Sequence, residues 1–234
     1  MLGTFGVRLG GVEAHPVPVG SQRLIAYLAL HDRAVARTTI SATMWPEVTD
    51  GRSDDSLRSA LTRLDPPLRE AVVVSSAGLR LADSVTVDYR EAQTLARRLL
   101  HSGESPLPED LSLTAVRLLS AELLPDWYDE WVAGKAEDWR QLRVSALEAQ
   151  ARVLTEAGEL ASAAEAARAA IEVEPLRETG HAALIRIHLA GGNQSEAIRA
   201  YDHYRTLLHR ELGIGPTPLI SKLVSTIRDK RRGK

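Results

Sequence analysis

The chain has 234 residues, 44% of them hydrophobic, enough to bury one large core or two modest ones. It contains no cysteine, which excludes disulfide frameworks, thiol nucleophiles and Cys-ligated zinc or iron-sulfur sites. Lys plus Arg total 29 against 31 Asp plus Glu, a net charge of −2, so any affinity for nucleic acid must come from a local patch rather than from the global field.

Residues 2–19 alternate apolar and polar positions around Gly10-Gly11, the pattern of a β-hairpin with a tight glycine turn. Ser21 is placed to cap a helix in which Leu24, Ile25, Leu28 and Leu30 keep helical spacing as far as His31-Asp32. Thr38 or Thr39 is placed to cap a shorter helix, TTISATMW, closed at Trp45-Pro46 because the residue before proline disfavours the helical conformation. Ser53 or Asp54 is then the expected cap of a third helix over 53–64, stopped by Asp65-Pro66-Pro67. AVVVSS and LRLA form a second hairpin about Ala77-Gly78, followed by a further β run, VTVDY.

From Tyr89 onward the β signal vanishes. The remainder reads as helices separated by punctuation at Gly103 to Pro108, Pro125, Gly158, Pro175, Gly191-Gly192 and Gly213 to Pro218. Gly158 and Gly192, Leu160 and Gln194, and Ala163 and Ala197 are each 34 residues apart, the period of a tetratricopeptide helix-turn-helix. Ala151, Gly158, Ala163, Ala170 and Pro175 fit that unit, with small side chains for close helix approach and a proline to end the second helix. Helices over 111–124, 137–150 and 216–230 are expected to complete the stack. LLPDWYDEW sets Trp127 and Trp131 four residues apart and Trp139 eight further on, so all three are expected near one helical face as core anchors.

The expected fold is mainly α with an α+β N-terminal part: a winged helix-turn-helix of the OmpR type over 1–88, then a tetratricopeptide-like all-α domain over 89–234. These elements resemble the Streptomyces antibiotic regulatory proteins, which join a winged helix to a bacterial transcriptional activator domain. LLPDWYDEWV and the long string from EPLRETGHAALIRIHLAGG to ELGIGPTPLI resemble the activator domain. LIAYLALH, Trp45-Pro46 and SLRSALTRL resemble the winged helix, the last matching its recognition helix. Typical members continue that helix with further arginines where Asp65, Pro66 and Pro67 stand here. The resemblance implies activation of transcription through DNA repeats near a promoter, with double-stranded DNA and RNA polymerase as partners.

On the third helix, Leu57, Leu61 and Leu64 form the stripe expected to be buried, leaving Asp55, Arg58, Ser59, Thr62 and Arg63 outward. Arg pairs bidentately with guanine and hydroxyls reach bases or phosphates, so this face suits a major groove; an ordinary solvated face is the alternative. Arg52, at the helix N-terminus, is expected to meet a phosphate, with Asp54 and Asp55 competing there. In the wing, Ser75, Ser76 and Arg80 are candidates for backbone or minor-groove contact, or Arg80 simply flanks a solvent-facing strand. Through residue 82, nine Arg stand against eight acids, a charge of +1. So slight a charge leads to the expectation that useful affinity needs two copies on repeated half-sites, as a homodimer, or help from polymerase.

No cofactor, metal or catalytic role is expected. His181 and His188 are seven apart and His203 and His209 six, not the spacing of a helical chelate. GVRLGG lacks the spaced glycines and Lys-Ser/Thr of a phosphate loop, and neither a serine elbow nor a paired-carboxylate motif stands out. The basic tail Lys222, Arg228, Lys230, Arg231, Arg232 and Lys234 reads as a solvated C-terminus. No run nears the roughly 18 apolar residues that span a bilayer and MLGTFGVRLGG is not a leader, so the expectation is cytoplasmic, with no membrane partner. The rival to a DNA-binding regulator is a protein-binding adaptor built on the helical repeats, its winged helix no longer reading DNA.

Overall fold

A computed structural model describes residues 1–14, 16–101 and 106–232, so Gly103 and Lys234 lie outside the described residues. The chain divides into two compact units. One is Met1–Glu91 with Glu122–Glu137; the other is Ala92–Ala121 with the chain from Asp138 onward.

In the first unit, β1 (Arg8–Leu9) pairs antiparallel with β2 (Val12–Glu13). Gly10 and Gly11 make the turn at φ of 58° and 87°, the left-handed region that a two-residue hairpin of this kind demands. The hairpin is shorter than the alternation over 2–19 suggests, because Leu2 bridges to Leu123 and the Gly3 N–H donates to the Glu122 carbonyl at 2.7 Å. Three helices follow: α1 (Val19–Ala29), α2 (Arg37–Met44) and α3 (Asp50–Thr62). Leu24, Leu28, Ile40, Met44, Leu57 and Leu64 are almost fully buried between them. Burying each such side chain stabilises the unit by about 1.5–3 kcal/mol relative to leaving it in water.

The expected caps are corrected. α1 starts at Val19 after Pro18, and Ser21 is buried inside it, its Oγ donating to the Ala60 carbonyl at 2.7 Å and so joining α1 to α3. Neither Thr38 nor Thr39 caps α2, which follows Ala36, and neither Ser53 nor Asp54 caps α3, which follows Thr49. Asp54 instead accepts from the Ser41 hydroxyl at 2.8 Å, tying α3 to α2. Helix α3 ends at Thr62 rather than Leu64, and the two prolines that stop it open a short helix α4 (Pro66–Glu70), a position where their missing N–H groups cost nothing.

Strands β3 (Val72–Ser75) and β4 (Gly78–Leu81) pair antiparallel in the register Val72–Leu81 to Ser75–Gly78. Val35 adds a bridge to Leu79, with 2.9 Å bonds in both directions. Gly78 permits it: at φ of +127°, a Cβ here would lie 1.9 Å from the Val35 carbonyl oxygen. VTVDY does not form the expected β run; Asp88 opens helix α5 (Asp88–Leu100). The Arg90 guanidinium explains part of this, donating to the carbonyls of Leu28, Ala29 and His31 at 3.0, 3.0 and 2.6 Å and so closing the C-terminus of α1. Trp127 lies before the long helix α7 (Glu130–Glu156), not on it, so the three tryptophans do not share a helical face. Trp127 and Trp131 pack edge to face at 6.1 Å, against Phe5 and Tyr27 respectively.

Trp139 belongs to the second unit, where it is buried and donates to the Ala121 carbonyl at 2.9 Å. This unit follows α5 with a 3-10 turn (Pro108–Leu111), α6 (Leu113–Ser120), the rest of α7, then α8 (Leu160–Val173), α9 (Glu178–Ala190), α10 (Gln194–Leu212) and α11 (Pro218–Arg232). The helices over 111–124 and 137–150 thus differ in extent from those expected. Gly158 and Gly192 take matching left-handed turns, at φ of 81° and 73°, at equivalent points of two helical hairpins. Six alanines of α8 are buried, which lets α9 approach until Gly180 leaves only 3.3 Å between a hypothetical Cβ and Ile171. A cluster of Ile185, Tyr201, Tyr204, Leu208, Ile220 and Val224 joins α9, α10 and α11.

A buried polar network braces the other end of this unit. Asp110 is 1% exposed and takes the Arg98 guanidinium on both oxygens at 3.0 and 2.5 Å, while Gln150 donates to its backbone carbonyl at 2.8 Å. The Arg98 hydrogen bond holds the Asp110 carboxyl below the usual carboxylate range, burial opposes it, and the Leu107 N–H assists. No described helix is long and apolar enough to cross a membrane.

Candidate nucleic-acid interface

Helix α3 presents the outward face expected of a reading helix. Leu57, Ala60 and Leu64 are buried and Leu61 half-buried, while Arg52, Arg58, Ser59, Thr62 and Arg63 are all exposed. Of the two acids near Arg52, Asp54 turns inward to Ser41, and Asp55 remains outside, 3.0 Å from Arg58. Those two side chains are 70% and 71% exposed, so their pairing contributes about 0–1 kcal/mol and is easily exchanged for a phosphate or a base. The Thr62 hydroxyl donates to the Arg58 carbonyl at 2.8 Å, leaving its lone pairs to accept from an outside donor. Ser59 and Arg63 line a groove of about 330 Å³ with Trp45, Ser56 and the start of α1 at Pro18 and Gly20.

The wing divides. Ser75 closes β3 and Ser76 lies in the turn, both exposed, with the Ser75 hydroxyl 3.3 Å from the Gly78 carbonyl. Arg80 is half-buried and forked onto Asp83 at 2.6 and 3.3 Å, with a further bond to the Leu81 carbonyl. A guanidinium held on both sides in this way is less free to reach a phosphate than Arg58 or Arg63.

Two features had no signal in the pattern of residues. Arg69, in α4, donates to the carbonyls of Thr62 and Leu64 at 2.7 and 3.0 Å, satisfying orphan acceptors where α3 ends and holding the helix that Asp65-Pro66 cuts short. Arg37, Thr38 and Thr39 form an exposed first turn of α2, free of the capping role assigned to the threonines. Among the described residues no group of three His, Asp or Glu side chains could hold a metal ion.

The model of the bacterial transcriptional activator domain matches residues 87–228. The regulatory protein AfsR of Streptomyces coelicolor is 28% identical over 95% of this chain, which spans only 24% of AfsR. The structure of Mycobacterium tuberculosis EmbR in complex with a low-affinity phosphopeptide superposes with a TM-score of 0.70 over 98% of this chain and 64% of EmbR, at 22% identity, a likeness of fold. The chain therefore belongs to the bacterial transcriptional activator domain family, in the plan of the Streptomyces antibiotic regulatory proteins, a winged helix-turn-helix before tetratricopeptide-like helices.

Proposed function

We propose that the chain is a non-enzymatic transcription regulator that binds double-stranded DNA through α3 and activates a biosynthetic or other gene cluster. The observation that carries this reading is the exposed row Arg58, Ser59, Thr62 and Arg63 above a buried leucine stripe, in a helix-turn-helix with a β3–β4 wing. In this reading Arg58 and Arg63 read base edges in the major groove, while Ser59, Thr62 and Arg52 take phosphates. Arg37, with the exposed start of α2, adds a further phosphate contact from a second helix. Ser75 and Ser76 steady the wing on the neighbouring backbone, and Arg80 joins them only by leaving Asp83. The near-neutral winged helix supplies few phosphate contacts, so two copies on promoter repeats, or RNA polymerase held by the helical repeats, raise the affinity. We assign these roles to a winged-helix domain over 1–88 and a helical-repeat domain over 89–234, the latter lending residues 122–137 to the first compact unit.

Genome-wide footprinting with the purified chain tests the reading: protected sites should be paired repeats upstream of promoters. In a gel-shift titration, tight binding of one chain to a single half-site would remove the two-copy element. A second reading draws on the acid pairing of Arg58 with Asp55 and Arg80 with Asp83, in which the winged helix no longer reads DNA and the helical repeats serve as a protein-binding adaptor. Footprinting that enriches no promoter, beside recovery of a stable protein partner, favours the adaptor.

A further inference from the structure

The second unit contains a pocket of about 430 Å³ between three consecutive helices of the repeat. Its floor is apolar, with Ile171 from α8, Leu184 from α9 and Ala200 from α10. Cationic and titratable groups surround the floor: Arg168 on α8, His181 and His188 on α9, Arg199 and His203 on α10. Glu172 on α8 and Glu196 on α10 are the acids of the wall. The two arginines and two glutamates of the lining balance in charge.

Both arginines are loosely committed. Arg168 pairs with Glu165 at 2.9 Å and Arg199 with Glu196 at 2.7 Å, each pair within one helix and all four side chains at least 46% exposed. Exposed pairs of this spacing are weak and give way to a carboxylate that both guanidinium groups can reach.

His181 is the opposite case. It is 2% exposed, stacked on the Tyr204 ring at 4.2 Å, with Nε2 2.9 Å from the Pro175 carbonyl oxygen. A carbonyl only accepts, so Nε2 carries the proton and, in the neutral ring, Nδ1 keeps a lone pair. Burial holds the imidazole neutral by pushing its pKa down, the Pro175 bond resists this, His203 on α10 adds to the lowering, and Glu178 on α9 favours the charged form. A negative charge brought into the pocket would act with Glu178 and the Pro175 carbonyl, offset the burial and draw a proton onto the ring.

We propose that this pocket binds a small molecule with a carboxylate on an apolar body, the carboxylate between Arg168 and Arg199 and the body on the Ile171, Leu184 and Ala200 floor. The volume of about 430 Å³ falls in the ~300–1,000 Å³ range of small-ligand sites, and the lining offers convergent charged groups beside a smaller set of apolar side chains. An inorganic phosphate would engage the arginines but leave the floor unused. Because binding draws a proton onto His181, affinity rises as pH falls, by at most about tenfold per pH unit. The site stands independently of whether α3 reads DNA.

The test is a titration of the whole chain with sodium benzoate, and separately with sodium phosphate, following the histidine ring signals by NMR at about pH 6 and about pH 7.5. The expected result is a saturable benzoate shift at His181, His188 and His203, several-fold tighter at the lower pH, with a weaker phosphate response. In the Arg168→Ala/Arg199→Ala double variant, whose changes lie on exposed helix faces, the benzoate response should be lost while the amide spectrum keeps the native pattern. His181→Phe, which keeps a ring against Tyr204, should bind benzoate with a reduced pH dependence. Shifts that do not saturate at either pH, a phosphate response equal to that of benzoate, or an undiminished response in the folded double variant would overturn the proposal.

Discussion

Arginine does opposite work on the outer face of α3 and in the interior of the second unit. On α3, Arg52, Arg58 and Arg63 are exposed, and Arg58 is tied only to a neighbour that is itself 71% exposed. In the second unit, Arg98 is locked to the buried Asp110, Arg143 is 4% exposed and bonded to the Ser120 carbonyl, and Arg177 forks onto Glu148 at 3.0 and 3.2 Å. A guanidinium with five donors serves either purpose: it braces buried carboxylates and carbonyls, or it stays hydrated and available for a bidentate partner such as guanine or phosphate. The difference lies in what surrounds each side chain, so removing the partner of a buried arginine should cost stability, and removing an exposed arginine of α3 should cost binding.

The largest effect on stability is expected at Asp110. Asp110→Ala strands the Arg98 fork and should destabilise the fold by about 3 kcal/mol in urea melts, toward the lower end for a broken buried pair because Arg98 is itself 38% exposed. The pair also predicts a pH dependence. The folded carboxyl is held below its unfolded value, so its stabilisation is complete above about pH 4 and fades as pH falls through the lowered value; Asp110→Ala should flatten the acid limb. Next is Gly78→Ala, expected to cost about 2 kcal/mol by pushing the wing from Val35 and to speed hydrogen exchange at the Val35 and Leu79 amides.

His181 gives a smaller, pH-selective effect. Burial lowers its folded pKa, so the unfolded chain takes a proton first as pH drops below about 6.5, and stability declines from there at no more than about 1.4 kcal/mol per unit. His181→Phe keeps a ring against Tyr204 and should remove that slope, as thermal melts across the range would reveal. Smallest is Arg69→Ala, worth about 1 kcal/mol, with exchange faster only at the last turn of α3.

The repeat of the second unit was legible because its signal is local and doubled: Gly158 and Gly192 are needed at left-handed turns, and alanine is needed wherever α8 meets α9. The helix-turn-helix was legible from leucine spacing, and so was the outward arginine row of α3. The caps were not. Ser21, Thr38 and Asp54 are residue types that favour helix starts, yet Ser21 and Asp54 spend their polar atoms joining helices, a tertiary use that no local pattern encodes. The pairing of Leu2 with Leu123, and of Phe5 with Trp127, depends on contacts more than a hundred residues apart, so the return of residues 122–137 to the first unit left no trace in periodicity. The roles of Arg69 and Asp83 have no local signature either, because whether a surface charge caps a helix or occupies an arginine depends on turns whose geometry the residues alone do not specify.

In the proposed function, the exposed arginines of α3 discriminate one DNA sequence from another. The most direct measurement is fluorescence anisotropy of Arg58→Ala/Arg63→Ala against the wild-type chain, on a footprinted repeat and on a scrambled duplex at the same salt. If each arginine grips a guanine, affinity for the repeat should fall by about 30-fold or more while the scrambled duplex changes only a few-fold, with circular dichroism unchanged. Equal loss on both duplexes, or undiminished preference for the repeat, would contradict the account.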